Sequence, residues 1–178
     1  SDLFDLGFFD AGTDSLDDLM GRASILRLSQ LPSEGVKRAL GSIILRSAYN
    51  ALLRAGHIQG LRLVIVIDEA HRVANLDPTI ALMREARAYG AGVILSSQQP
   101  GDFDEKVISN AGSHLMLQLT DTKAAKAAAK IMAAQSSGVS KTADMIRQLP
   151  TFTGLFRNNH YPHSTKVRVT PHFEREEA

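Results

Sequence analysis

The chain of 178 residues has no cysteine and no tryptophan. The absence of cysteine excludes a disulfide scaffold, a thiolate metal site and a cysteine nucleophile. Long apolar runs are also missing: nothing approaches the roughly 18–20 consecutive apolar residues of a membrane span. No membrane segment is therefore expected. An excess of charge of one sign is missing too, since 20 Lys and Arg against 19 Asp and Glu leave a formal net charge of +1. That balance argues against a surface that is basic throughout. The chain opens on Ser1 rather than Met, with no signal peptide after it. It is expected to be an internal piece of a longer, cytoplasmic protein.

What is present fits a folded domain. An apolar fraction of 44% excludes wholesale disorder, and the length suffices to bury one core. Charge is distributed unevenly. Residues 1–18 carry six Asp and no base, whereas residues 22–62 carry seven Lys and Arg against the single acid Glu34. These stretches are two touching surfaces or, more simply, a solvated acidic loop ahead of a basic helix. The expected organisation is an acidic lead-in over 1–21, an α/β domain over 22–173 and a charged tail over 174–178.

Periodicity alternates between strand and helix along the domain. Strands are expected over 24–28, 63–67, 92–96, 115–119, 153–156 and 166–169. The run LVIVI at 63–67 has the continuous β-branched character of a strand buried on both faces in a parallel sheet. Helices are expected from Ser33 as N-cap to about Arg54, closed by Gly56, then over 79–89, closed by Gly90, over 121–134 and over 141–148. This order implies an α/β sandwich with a mainly parallel sheet.

The sharpest chemical feature is LVIVIDEAH at 63–71, an apolar strand ending in the adjacent acids Asp68 and Glu69. Open α/β sheets bind ligands at the carboxyl ends of their strands. Of two acids there, one can hold Mg²⁺ and the other can orient or deprotonate an attacking water. The alternative is a strand that merely ends in a polar turn. The next strand ends in LSSQQP, where Gln98 is a neutral donor and acceptor able to position a water and report a γ-phosphate. Between the two lies MREARAYGAG. Arg84 and Arg87 share a helix face there, either as an exposed helix with Arg–Glu pairs, favoured for Arg84, or, for Arg87, as an arginine offered to a neighbouring subunit's nucleotide. Lys123, Lys126 and Lys130 form a stripe on one helix that suits phosphates, although a solvated face is the commoner meaning. His160, His163 and His172 lack the further ligands of a zinc site and read as loop and tail residues. His71 is either a coupling residue beside the acids or an ordinary surface or core histidine.

Taken together, LVIVIDEAH, REARAYGAGVILSSQQP and the strand near LMLQL resemble the HerA/FtsK superfamily of hexameric RecA-like motors, especially its HerA branch, over roughly residues 22–172. The resemblance implies a RecA-like three-layer sandwich, here the C-terminal part of a P-loop NTPase core. It implies a Walker B pair, with Asp68 the Mg²⁺ ligand and Glu69 the catalytic base, Gln98 the sensor and Arg87 the trans-acting arginine. It further implies ATP as cofactor, double-stranded DNA as partner, a homo-hexameric ring and a nuclease or other effector beside it. DNA end processing, restriction or phage defence, and conjugative transfer are the settings it offers.

Two departures stand out. Gln99 occupies a position where the family commonly has Arg, and no G-x-x-x-x-G-K-[ST] segment occurs anywhere in the chain. The missing phosphate loop is expected upstream of Ser1, which would leave this fragment inactive alone. A non-catalytic assembly or partner-docking module is the alternative. DEAH-box RNA helicases share the four letters DEAH, but their Ser-Ala-Thr motif and arginine-rich final motif are absent, so that match is coincidental.

Overall fold

The computed structural model describes residues 21–133, 136–161 and 163–171. Residues 1–20 of the acidic lead-in, His172 and the tail over 174–178 lie outside the described residues. The chain divides into two compact units, residues 1–97 and 98–178.

In the first unit, helix α1 (Glu34–Ala55) starts where Ser33 Oγ accepts the Val36 amide at 3.2 Å. This satisfies one of the donors that a helix N-terminus leaves open. Strand β1 (Leu63–Ile67), helix α2 (Asp77–Glu85) and strand β2 (Ala91–Leu95) follow. β1 and β2 pair in parallel, from Leu63 opposite Ala91 to Ile67 opposite Leu95. Leu45 and Leu52 of α1, Leu82 of α2, and Val73 are buried together, with Leu63, Ile65 and Ile67 packed against them. Gly41 permits the close approach of α1, because a Cβ there would lie 2.9 Å from Val73 Cγ1.

The LVIVI run is not buried on both faces as expected. Val64, Val66 and Ile94 are exposed, with Val66 at 63%. The reason is local: α1 and α2 cover the face carrying Leu63, Ile65 and Ile67, and a strand buried on both sides needs a layer on each. The expected strand at 24–28 is also absent. Ile25 is 85% exposed and Leu26 47%, so most of the apolar run stays open to solvent.

The second unit contains helix α3 (Glu105–Asn110), strand β3 (Ser113–Met116), helices α4 (Thr122–Met132) and α5 (Val139–Arg147), and strands β4 (Thr153–Asn158) and β5 (Thr165–Arg168). Its strands pair antiparallel in the order β3-β4-β5, while the parallel pairing is that of β1 and β2. Asp121 caps α4 by accepting the Ala124 amide at 2.7 Å. The alanine face of α4 (Ala125, Ala128, Ala129) and Met132 is buried with Ile146, Leu149 and Leu155. The small side chains let α4 and α5 pack closely. Arg157 of β4 donates to the carbonyls of Ile131 at 2.6 Å and Ala133 at 3.3 Å, which closes α4 with a cation at its negative end. Short helix α3 was not anticipated.

Gly90 ends the turn before β2 at φ 71°, where a Cβ would lie 2.5 Å from Ile58 Cγ2 and 2.7 Å from the Gly60 carbonyl oxygen. The expected cost of Gly90→Ala is about 2 kcal/mol or more, from left-handed backbone strain plus the clash. Urea denaturation checks this, and a loss near zero would contradict the packing described.

Candidate functional site

The register that ends β1 and β2 together also places Asp68 beside Ser96. The ladder continues one step past both strands: the Ser96 amide donates to the Ile67 carbonyl at 2.9 Å, and the Ala70 amide donates to the Ser96 carbonyl at 2.8 Å. Ser96 Oγ donates to Asp68 Oδ1 at 3.0 Å, and the Glu69 amide donates to the same oxygen at 3.0 Å. Both hydrogen bonds to this exposed carboxylate therefore fall on Oδ1.

Glu69 adopts a left-handed backbone, φ 50° and ψ 45°, at a cost of roughly 1–2 kcal/mol for a residue with a Cβ. The Ala70–Ser96 bond and a 3-10 turn, Ala70–Arg72, with Ala70 buried, hold it there. Glu69 Oε2 lies 3.2 Å from His71 Nδ1. The two adjacent acids thus take different partners, a strand-end serine and a histidine two residues on. Asp68 and Glu69, which the sequence paired, are brought together at a strand's carboxyl end. His71 is a direct neighbour of the proposed base.

The turn is anchored on its far side. Arg72 Nε and Nη2 donate to the two carboxylate oxygens of Glu34, the first residue of α1. Arg72 first, and then Lys37, lower the Glu34 carboxyl from the ordinary 4.5 to about 2. Thr79 Oγ1, fully buried in α2, donates to the Val73 carbonyl at 2.6 Å. None of Ser96, Arg72, Glu34 or Thr79 was singled out from the sequence. Ser96 follows from the register once it is known, being at the same offset from Asp68 as Leu95 is from Ile67.

Arg87 sits in the 3-10 turn Ala86–Tyr89 that precedes β2. It is exposed and lines an open depression of about 550 Å³ with His57, Arg84, Glu85, Ala88 and Tyr89. Because β1 and β2 run parallel, Arg87 and Asp68 lie at opposite strand ends, separated by five residues of strand, roughly 16 Å. Arg84 Nη2 is bound to Glu85 Oε1 at 2.5 Å, and the Tyr49 hydroxyl donates to Glu85 Oε2 at 2.5 Å. Glu85 is accordingly held below the usual carboxylate range, chiefly by Tyr49 and then by Arg84. Arg84 has the Arg–Glu pairing of an exposed helix.

In the second unit, Gln98 and Gln99 are exposed in the loop after β2. Lys123, Lys126 and Lys130 are all exposed, on the side of α4 away from its buried alanines. His160 and His163 are exposed, and no group of three or more potential metal ligands occurs among the described residues. The adjacent carboxylates Asp68 and Glu69 are the kind of donors that Mg²⁺ takes, one or two carboxylates with water and substrate phosphates completing its shell. No helix among the described residues is long and apolar enough to cross a membrane.

A model of the type IV secretion-system coupling protein DNA-binding domain matches residues 20–149. The chain belongs to this family. The match begins ahead of α1 and ends just after α5, so it contains every candidate site residue. The chain is also 26% identical over 125 residues to the DNA double-strand break repair helicase HerA of Sulfurisphaera tokodaii, covering 64% of this chain and 25% of that protein. It therefore spans about a quarter of that relative's length.

Among solved structures, the genome packaging NTPase B204 of Sulfolobus turreted icosahedral virus 2, in complex with sulfate, superposes with a TM-score of 0.64 at 14% identity, over 90% of this chain and 74% of that one. The same NTPase in complex with ATPγS matches at a TM-score of 0.58 and 15% identity, over 90% and 74%. The bacterial conjugative coupling protein TrwBdeltaN70 matches at a TM-score of 0.62 and 16% identity, over 77% and 38%. These likenesses establish the fold, the RecA-like α/β architecture expected from the sequence. The resemblance to the HerA/FtsK superfamily is borne out.

The Glu34–Arg72 pair makes a titration prediction. A carboxyl lowered by a partner stabilises the fold above its unfolded value near 4.5, and loses that contribution as pH falls toward about 2. In carboxyl-detected NMR, Glu34 is expected to titrate near 2, and Arg72→Ala is expected to move its midpoint up toward 4.5. A midpoint unchanged by Arg72→Ala would remove this anchor from the account.

Proposed function

We propose that this chain is part of an ATP-driven, HerA-like DNA translocase, with Asp68 and Glu69 as its Walker B pair. The carrying observation is that both acids emerge at the carboxyl end of parallel strand β1, on a turn tied to Ser96 of β2. Ligand chemistry in open α/β sheets gathers at that edge. The family description supports a DNA partner, and the ATPγS complex of the packaging NTPase supports ATP as the nucleotide.

In this reading Asp68, whose carboxylate is held by Ser96 and the Glu69 amide, would be the residue that holds Mg²⁺, directly or through water. Bound with ATP, the ion supplies neutralisation of phosphate charge. Glu69 accepts the proton of the attacking water, and its left-handed backbone fixes where that carboxylate is presented. Gln98, in the loop that follows β2, is the candidate sensor of the γ-phosphate. Arg87 lies too far along the strands to serve the nucleotide of its own Asp68, so its place is across an interface, on a neighbouring copy's nucleotide. That role calls for a ring of copies, the homo-hexamer of the resemblance. The Gln at position 99 removes any contribution that an Arg there would make.

Turnover also needs a phosphate cradle, and none is encoded in these residues. This observation favours one competing reading, a RecA-like module that assembles a ring or docks an effector without hydrolysing ATP. Restriction, phage defence, end processing and conjugation are the settings open to the motor.

The deciding experiment is ATP hydrolysis by the natural full-length chain, with and without duplex DNA, beside its Glu69→Gln variant. The expected outcome is turnover stimulated by duplex DNA, with kcat lowered by about 100-fold or more in the variant and ATP binding retained. Equal kcat in the two proteins would remove Glu69 as the base. A folded full-length chain with no turnover would favour the assembly module.

A further inference from the structure

Ser96 touches both sides of the turn that bears the acidic pair. Its amide holds the Ile67 carbonyl at 2.9 Å, before the pair, and its carbonyl holds the Ala70 amide at 2.8 Å, after it. Its hydroxyl then reaches into the turn, to Asp68 Oδ1 at 3.0 Å. The two backbone bonds are ladder bonds that any residue but proline could make. The third is chemically specific, because it needs a side-chain donor of serine's reach.

Its consequence is rotational. A carboxylate at a strand end turns freely about its last torsion unless an oxygen is held. Here Oδ1 is fixed from two directions, by Ser96 Oγ and by the Glu69 amide. The other oxygen carries neither of these bonds, on a residue that is exposed. We infer that Ser96 is a positioning residue that orients the Asp68 carboxylate for a nucleotide-bound divalent cation. The inference rests on the reading of Asp68 as the Mg²⁺ ligand. Residues that hydrogen-bond a ligating carboxylate fix its orientation, and their loss weakens metal binding without removing a ligand.

The test uses the natural full-length chain loaded with a non-hydrolysable ATP analogue, with Mn²⁺ affinity read by electron paramagnetic resonance. Ser96→Ala and Ser96→Val remove the hydroxyl, whereas Ser96→Thr keeps it at the volume of valine. The expected result is Mn²⁺ binding about tenfold weaker in the Ala and Val variants, with Thr close to the parent. In steady-state hydrolysis the same variants require correspondingly more Mg²⁺ for half-maximal rate. Parent-like Mn²⁺ affinity in the Val variant would overturn the inference. Loss of fold in the Ala and Val variants with Thr intact would overturn it as well, since the hydroxyl would then be holding the fold rather than the carboxylate. Asp68→Asn separates the two levels. If it binds Mn²⁺ as the parent does, the reading of Asp68 as ligand fails. If it loses Mn²⁺ while Ser96→Ala keeps it, only the inference fails.

Discussion

The parallel register between β1 and β2 is the constraint on which the candidate site depends. Ile67 faces Leu95, and every relation at the acidic turn follows from that alignment. A slip of one residue would set a different residue beside Asp68 and invert which side chains of the strand face α1 and α2. Burial on one face fixes the alignment: Leu63, Ile65 and Ile67 pack against Leu52 and Leu82, while Val64 and Val66 do not. The core of the first unit thus specifies, through strand periodicity alone, which hydroxyl meets which carboxylate.

The left-handed Glu69 costs free energy that the turn around it must offset. Two kinds of contact do so. Buried ones act inside, through Ala70, Ala74 and the Thr79 hydroxyl on the Val73 carbonyl. An exposed one acts outside, where Arg72 grips the first residue of α1. The exposed pair is screened by solvent and adds little to stability; its geometric effect is to tie the start of a 22-residue helix to the turn that carries the acids. A strained residue held from both sides is a common mark of a site whose geometry matters more than its stability.

Much of this was legible in the sequence, for identifiable reasons. The apolar runs at 63–67 and 92–96 are short and β-branched, and polar residues bound them. Ser33 is a strong cap and Gly56 an effective stop, so α1 lies within a residue of its expected bounds, whereas the helix expected over 79–89 starts at Asp77 and gives way to a 3-10 turn after Glu85. Helix α3 escaped because six residues span fewer than two turns and show no period. The strand expected at 24–28 shows the opposite error: an apolar run is not a strand without a partner to bury it, and Ile25 has none of its surface covered to speak of at 85% exposure. Asp68 and Glu69 could be read because they are adjacent in sequence. Ser96, 28 residues on, could not, because its role exists only through strand pairing.

Arg87 shows how far topology constrains chemistry when contacts are silent. A parallel pair has two unlike ends. The acids leave by the carboxyl end of β1, and Arg87 enters by the amino end of β2. No rotamer of Arg87 spans the intervening strand, roughly 16 Å long, so a single copy cannot bring that guanidinium to a nucleotide held at Asp68. Arg84, bound to Glu85, and Arg87, beside the paired rings of His57 and Tyr89 at 4.5 Å, also differ in what they can give. The first is already neutralised by a neighbour within its own helix. If either arginine acts on a phosphate, it is Arg87, and it acts on another copy's nucleotide. The proposed role of Arg87 then needs a second copy, a requirement set by the direction in which two short strands run.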